Sequence, residues 1–270
     1  MDRRLTPATA RVAHVSLRGR QDAPAYTEGQ RLQVSAPLAD LLRTPNGSRE
    51  RQLWQGEGFV VIDREQGHAF GFAEKDGYCG WLPETALEEG PAATHWVASP
   101  GTHLYPEPKA SSKELAALPM GARLAVLGQV GKYAETAQGY VPASHLLPLS
   151  QHLTDPVTVA EFFLHTPYLW GGNSRAGLDC SGLCQIAHHA CGISVPGDAD
   201  LQEAAGTVVQ GEFQRGDLLF WKGHVALAVD AQRLIHANGH TMSVAYEGIQ
   251  DAIARIEAAE GLPLRSHRRL

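Results

Sequence analysis

Cys180 stands in Asp179-Cys180-Ser181-Gly182, just ahead of apolar Leu183, Ile186, Ala187 and Ala190. Their spacing predicts a helix from about Cys180 to Ala190 with one buried face. The thiol then sits in the first helical turn, where unpaired amides carry partial positive charge and favour the thiolate. Taken alone, the tetrapeptide reads equally well as an ordinary buried cysteine, which is the reading for Cys184 and Cys191 on the same helix. His224 opens the apolar stretch His224-Val225-Ala226-Leu227-Ala228-Val229 directly after Gly223. A histidine at a strand mouth presents its ring at the sheet edge while its neighbours bury, which suits a general base. His236, in Leu234-Ile235-His236-Ala237-Asn238, lies on the next apolar run and would come beside His224 across a hairpin. The order cysteine, histidine, polar residue is that of nucleophile, base and orienter. A histidine as orienter departs from the better-known triads and is physically adequate.

The elements that must position these groups follow from the surrounding texture. Thr154-Asp155-Pro156 followed by Val157 to Leu164 reads as a capped amphipathic helix start, and Gly171-Gly172-Asn173 as a turn before the cysteine helix. Apolar runs at 217–221, 225–229 and 234–237 predict antiparallel strands, with Ala231-Gln232-Arg233 as one hairpin connection. An amphipathic helix closes the region over about 249–259. Helices followed by a small antiparallel sheet make an α+β domain over 151–270.

Upstream, two stretches share one order: an apolar residue and Pro, a polar bend, a Gly-led apolar strand, then a Gly-aromatic strand closed by Pro. The first runs from Ala39 through Gly77-Tyr78-Cys79-Gly80-Trp81-Leu82-Pro83, the second from Thr102 through Gln138-Gly139-Tyr140-Val141-Pro142. Short strands with regular turn signals suggest two small β-barrels. The pair resembles tandem bacterial SH3-like domains, over 36–90 and 91–150. Residues 1–35 read as an extension packed on the first barrel, with possible strands at Val12–Leu17 and Arg31–Val34.

Composition bounds the rest. The 270 residues are 43% hydrophobic and 19% charged with a formal charge of -6, a globular profile that argues against nucleic-acid binding through a broad basic face. The basic cluster Arg265, His267, Arg268 and Arg269 reads as a solvated tail. No apolar run like a signal-peptide core follows Met1, and nowhere do ~18 apolar residues run together, so neither a secretory leader nor a membrane span is expected. The four cysteines fit neither a disulfide framework nor a zinc knuckle. A reducing cytoplasm is therefore the expected compartment, with periplasm or envelope as the alternative. No His-Glu-x-x-His spacing or phosphate-cradling Gly loop occurs, so neither a metal nor a cofactor is implied.

Tyr168-Leu169-Trp170-Gly171-Gly172, Leu178-Asp179-Cys180-Ser181-Gly182, Gly216-Asp217-Leu218-Leu219-Phe220 and His224-Val225-Ala226-Leu227 together resemble the NlpC/p60 family over about 155–270. The resemblance implies a papain-like catalytic domain that cleaves peptidoglycan stem peptides. With two SH3-like domains, the layout resembles γ-D-glutamyl-L-diamino acid endopeptidases, in which His at the third triad position is usual. It implies Cys180, His224 and His236 as the catalytic set, with the Cys180 amide and Tyr168 at the oxyanion. Tyr168 and Trp170 would line the site, and Asp179 and Ser181 would hold the L-Ala and D-Glu end of the substrate. Asp198, in Val195-Pro196-Gly197-Asp198-Ala199-Asp200, matches a segment where relatives often carry Pro-Arg-Asp-Ser; Gly197 and Ala199 depart from it. From the first SH3-like domain, Tyr78 and either Glu57 or Glu50 would meet a free N-terminal amine, though Tyr78 reads equally well as a core aromatic. His188 and His189 read as cations favoured by the helix C-terminus, His165 and His240 as rim residues, and His103 and His145 as barrel surface. Two other readings compete: an amidase or acyltransferase on the same fold, and a wall-binding module whose catalytic domain is vestigial. The expected partners are peptidoglycan-derived peptides.

Overall fold

A computed structural model describes all 270 residues. The chain divides into two compact units, Met1–Gln151 and His152–Leu270.

In the first unit, strands Gln30–Val34, Leu38–Leu42, Arg49–Trp54, Gly58–Glu65, His68–Ala73, Cys79–Pro83 and Leu87–Glu88 form one seven-stranded sheet. Leu32, Val34, Leu41, Leu53, Phe59 and Leu82 alternate inward and close its core with Tyr78, the period-two burial expected of a curved antiparallel sheet. The sheet begins earlier than the boundary expected at residue 36. Gln30–Val34 pairs with both Gly58–Val61 and Leu87–Glu88, so this strand is part of the barrel and not an extension. The strand pair ahead of it, Ala13–His14 with Tyr26–Thr27, is short and parallel. The second set of strands, between His95 and Pro148, forms two three-stranded sheets and one two-stranded sheet, with Val97, Leu118, Met120, Leu124 and Val141 buried.

The second unit is α+β. Helix Cys180–Ala190 buries nearly its whole length and packs against the strands His224–Ala228 and Arg233–Asn238. Those strands sit inside a six-stranded sheet with the spatial order Thr207–Val208, Ser266–Arg269, Leu218–Trp221, His224–Ala228, Arg233–Asn238, Ser243–Gly248. Three of the six were anticipated to within a residue or two. Ser243–Gly248 was not, since its alternation of Ser243, Val244, Ala245, Tyr246 and Glu247 buries only Val244 fully. The amphipathic helix Ile249–Glu260 covers one face of the sheet, where Ile249, Ala252 and Ile256 meet Leu219, Trp221, Ala226, Ala228 and Leu234.

The C-terminal basic cluster is a sheet strand, which corrects the solvated-tail reading. Ser266–Arg268 pairs with Leu218–Phe220. Two of its basic side chains meet fully buried Asp217: His267 Nε2 lies 2.6 Å from Asp217 Oδ2, and Arg269 Nε donates to Oδ1 at 2.6 Å. Burial alone would raise the Asp217 pKa, but the Arg269 and His267 contacts win and hold it below the usual range. No helix is long and apolar enough to cross a membrane.

Candidate active site

The helix that carries Cys180 starts where it does because Asp179 caps it. Asp179 Oδ1 accepts from Gly182 N at 2.6 Å and from Ser181 Oγ at 3.0 Å, while Oδ2 accepts from Gly171 N at 2.8 Å. One buried carboxylate thus ties the Trp170-Gly171-Gly172 turn to the first turn of the helix. The glycine after Cys180-Ser181 is required by close approach: a Cβ on Gly182 would lie 2.4 Å from the Gly172 carbonyl oxygen.

Cys180 is 6% exposed. Its Sγ lies 4.0 Å from the Gly223 carbonyl oxygen, and the amides of Val225, Ser181 and Cys180 itself favour the charged sulfur. The sulfur is therefore set against the backbone on both sides of His224. Burial pushes the thiol up to about 12, Asp179 adds to the rise, and the amides only moderate it. The thiolate expected from the helix N-terminus is thus not the resting state: desolvation in a closed site outweighs the dipole.

His224 lies at the start of its strand, with the buried Trp221 ring at 5.6 Å between centroids. The pairings Leu227↔Ile235 and Ala228↔Leu234 place His224 and His236 on the same sheet face, diagonal to one another. His224 Nε2 is 3.0 Å from His236 Nδ1, which leaves His224 Nδ1 as the ring nitrogen for a reacting proton. The residue keeps some exposed surface, yet its ring is largely desolvated. That burial, with His236 and Arg255 nearby, lowers the His224 pKa to about 3, and Glu247 opposes the fall. Thiol and imidazole therefore rest as a neutral pair.

Behind His236, which is 1% exposed, stands a carboxylate that the sequence reading missed. His236 Nε2 lies 3.2 Å from Glu247 Oε2, close to the carboxylate but off the line of a hydrogen bond. Glu247 is held by Arg255 in a fork, Nε to Oε1 and one terminal nitrogen to Oε2, both at 2.7 Å. Arg255, and to a lesser degree His236, lowers the Glu247 pKa to about 2 against its burial. The available signal was a Glu on an alternating strand followed by an Arg on the covering helix, which becomes informative only once that strand is recognised.

The other anticipated residues divide. Tyr168 is half-buried, and burial together with Cys180 raises its phenol well above the ordinary value; it is in the electrostatic neighbourhood of the sulfur. Trp170 is 67% exposed beside the Asp179-capped turn. Asp179 and Ser181 are both buried and hydrogen-bonded within the helix cap. Asp198 is half-buried at the N-cap of the short helix Ala199–Gln202, and Gln202 reaches back from it to the Ser181 and Pro196 carbonyls. In the first unit Tyr78 is 2% exposed in the barrel core. Glu57 is 1% exposed, pairs with Lys75 at 2.7 Å and accepts from Trp54 N. Glu50 forms an ion pair with Arg3. His188 corrects its cationic reading: burial lowers its pKa, and Nδ1 contacts the Cys184 carbonyl at 2.7 Å. No three His, Cys, Asp or Glu side chains gather so as to hold a metal ion.

A cysteine at a capped helix start, an enclosed imidazole and a second imidazole 3.0 Å behind it can perform thiol-based acyl transfer. The NlpC/P60 family model matches residues 165–255 and the Bacterial dipeptidyl-peptidase Sh3 domain model matches residues 41–87. A Gamma-D-glutamyl-L-lysine dipeptidyl-peptidase of Bacillus subtilis (strain 168) is 33% identical over 205 residues, 68% of this chain and 67% of that protein. The chain belongs to the NlpC/P60 family. A protein of the same name from Bacillus cereus (strain ATCC 10987 / NRS 248) is 29% identical over 192 residues, 60% of this chain and 57% of that one. In fold, the NlpC/P60 peptidase chain is similar to a NlpC/P60 family protein of Bacillus cereus ATCC 10987, with a TM-score of 0.76, 21% identity, and coverage of 89% and 99% of the two chains. Cys180, His224, His236, Glu247 and Arg255 lie on the Cys180–Ala190 helix, three neighbouring strands and the Ile249–Glu260 helix.

Proposed function

We propose that this chain is a cysteine peptidase that hydrolyses the γ-D-glutamyl–L-diamino acid bond of peptidoglycan stem peptides, with Cys180 as nucleophile, His224 as base and His236 as orienter. The observation that carries the reading is the 3.0 Å contact between His224 Nε2 and His236 Nδ1, which leaves Nδ1 for the thiol. The names of the two Bacillus relatives support the choice of bond.

In this reading the Cys180 proton passes to His224 Nδ1 as sulfur adds to the γ-carbonyl carbon. The tetrahedral oxyanion forms beside the Cys180 amide and Tyr168. Collapse breaks the C–N bond, and His224 gives its proton to the departing amine. Water then loses a proton to His224, attacks the thioester and releases the glutamyl carboxylate, while sulfur recovers a proton.

The dipeptidyl-peptidase names of the relatives further support a preference for a free N-terminal L-Ala. Tyr78 and Glu57 are not proposed as readers of that amine. One is packed in the barrel core, and the other already neutralises Lys75. The test compares L-Ala-γ-D-Glu-diamino acid with its N-acetylated copy. Cleavage of the free peptide alone supports the preference; equal cleavage of both removes it and leaves the peptidase.

A further inference from the structure

Two residues outside the proposed triad complete a chain of side chains that ends at His236. We propose that Glu247, held by Arg255, is a positioning residue that fixes the tautomers of His236 and, through it, of His224. This inference rests on the triad reading above.

Proton placement decides which nitrogen of His224 can take the thiol proton. A carboxylate 3.2 Å from His236 Nε2 favours a proton on that nitrogen, which leaves His236 Nδ1 as a lone pair. Nδ1 then accepts from His224 Nε2–H across 3.0 Å. With Nε2 protonated, neutral His224 presents the lone pair of Nδ1 to the thiol, the tautomer that can take its proton. When it does so, the imidazolium keeps both N–H groups satisfied, and Glu247, behind His236, favours the new charge. Without the carboxylate, His236 has no partner to choose its tautomer. The alternative protonation of Nδ1 would turn His224 around and face an N–H toward sulfur. The register builds this relationship into the sheet. Glu247 pairs with Leu234, two residues from His236 on the same face, and Arg255 comes from the helix packed over that face.

The charged and titratable groups around this chain come from every neighbouring element. Cys180, Asp179 and Tyr168 lie on the sulfur side; His224, His236 and Glu247 belong to the sheet; Arg255 belongs to the covering helix. On His224 the two outer charges act in opposite directions, Arg255 lowering basicity and Glu247 raising it. That opposition supplies a test that a purely structural ion pair would fail.

The experiment measures the rate of iodoacetamide alkylation of Cys180 at neutral pH, resolved from Cys184 and Cys191 by peptide mapping. The full-length wild type, Glu247→Gln and Arg255→Gln are compared. Alkylation follows the fraction of thiolate–imidazolium pair. Glu247→Gln should slow it about tenfold, the equivalent of one pKa unit on His224. Arg255→Gln should raise it severalfold, although it breaks the same ion pair. Equal slowing in both variants, or no slowing in folded Glu247→Gln, overturns the proposal. Should Glu247→Gln fail to fold, Arg255→Gln decides by direction: a raised rate supports the proposal, and an unchanged or lowered rate contradicts it. Because alkylation needs no peptide, failure of the substrate assignment would leave this result standing.

Discussion

His224 Nε2 and His236 Nδ1 are 3.0 Å apart although the two residues are diagonal, not directly paired, across their strands. The hairpin register brings the rings together, and the covering helix and its neighbouring strand enclose the outer one. Replacing His236 by Ala would remove the acceptor for the His224 ring proton while leaving both strands paired. The expected result is a fall in kcat of roughly a hundredfold or more with a small change in KM, since the loss falls on the proton-transfer step. Steady-state kinetics on the γ-glutamyl peptide checks it.

The neutral resting pair sets a pH profile. With burial lowering His224 to about 3 and raising Cys180 to about 12, neither group titrates near neutrality. The profile of kcat/KM should remain flat well below the ordinary histidine value of ~6.5. An acid limb centred near that value in the wild-type profile would contradict the assignment of an enclosed, uncharged His224.

The same burial links stability to pH. The unfolded chain binds a proton on His224 near its ordinary value of 6.5, and the folded chain resists it until about 3. His188, also lowered by burial, acts in the same direction. The unfolded state therefore holds more protons across that window, so stability is fully present above 6.5 and is lost as pH falls toward 3. Urea midpoints should drop between pH 7 and pH 5, and His188→Gln should flatten part of that slope.

Much of the second unit was legible because its chemistry coincides with strong local patterns. The Cys180 helix announces itself by apolar spacing and by Asp179 at its cap, and the His224 and His236 strands by unbroken apolar runs between tight turns. The C-terminal strand was hidden because Arg265, His267, Arg268 and Arg269 read as solvated, whereas Asp217, the partner of His267 and Arg269, is far along the chain and buried. The direction of the Cys180 pKa was illegible for a related reason. A helix start can be read from sequence, but the desolvation that outweighs it depends on what covers the thiol. Glu247 and Arg255 were invisible until the Ser243–Gly248 strand existed to bring them together.

Asp217 gives a test of the C-terminal strand that is independent of catalysis. Asp217→Asn would weaken contacts to Arg269 and His267 and leave those basic groups poorly compensated. A loss on the order of 3 kcal/mol is expected, read as a lowered denaturation midpoint. Truncating the chain before Ser266 should be at least as damaging, because it also bares the edge of Leu218–Trp221.

Asp179 should behave as a fold residue first. Asp179→Ala removes the acceptor for Gly182 N, Ser181 Oγ and Gly171 N. Loss of the cap and of the tie to the turn should cost about 1–3 kcal/mol, measured by chemical denaturation. The activity lost beyond that of the unfolded fraction would report how far the Trp170 turn had moved.

The central claim is that Cys180 is the nucleophile for a γ-glutamyl bond. The most direct measurement follows L-Ala-γ-D-Glu-L-Lys and its meso-diaminopimelate counterpart by mass spectrometry with wild-type protein and with Cys180→Ala shown to be folded. The account predicts release of L-Ala-D-Glu by the wild type from at least one of the two, slowed by about a thousandfold or more in the variant. Folded Cys180→Ala that releases the dipeptide at the wild-type rate, or wild-type protein that cleaves neither peptide, would contradict it.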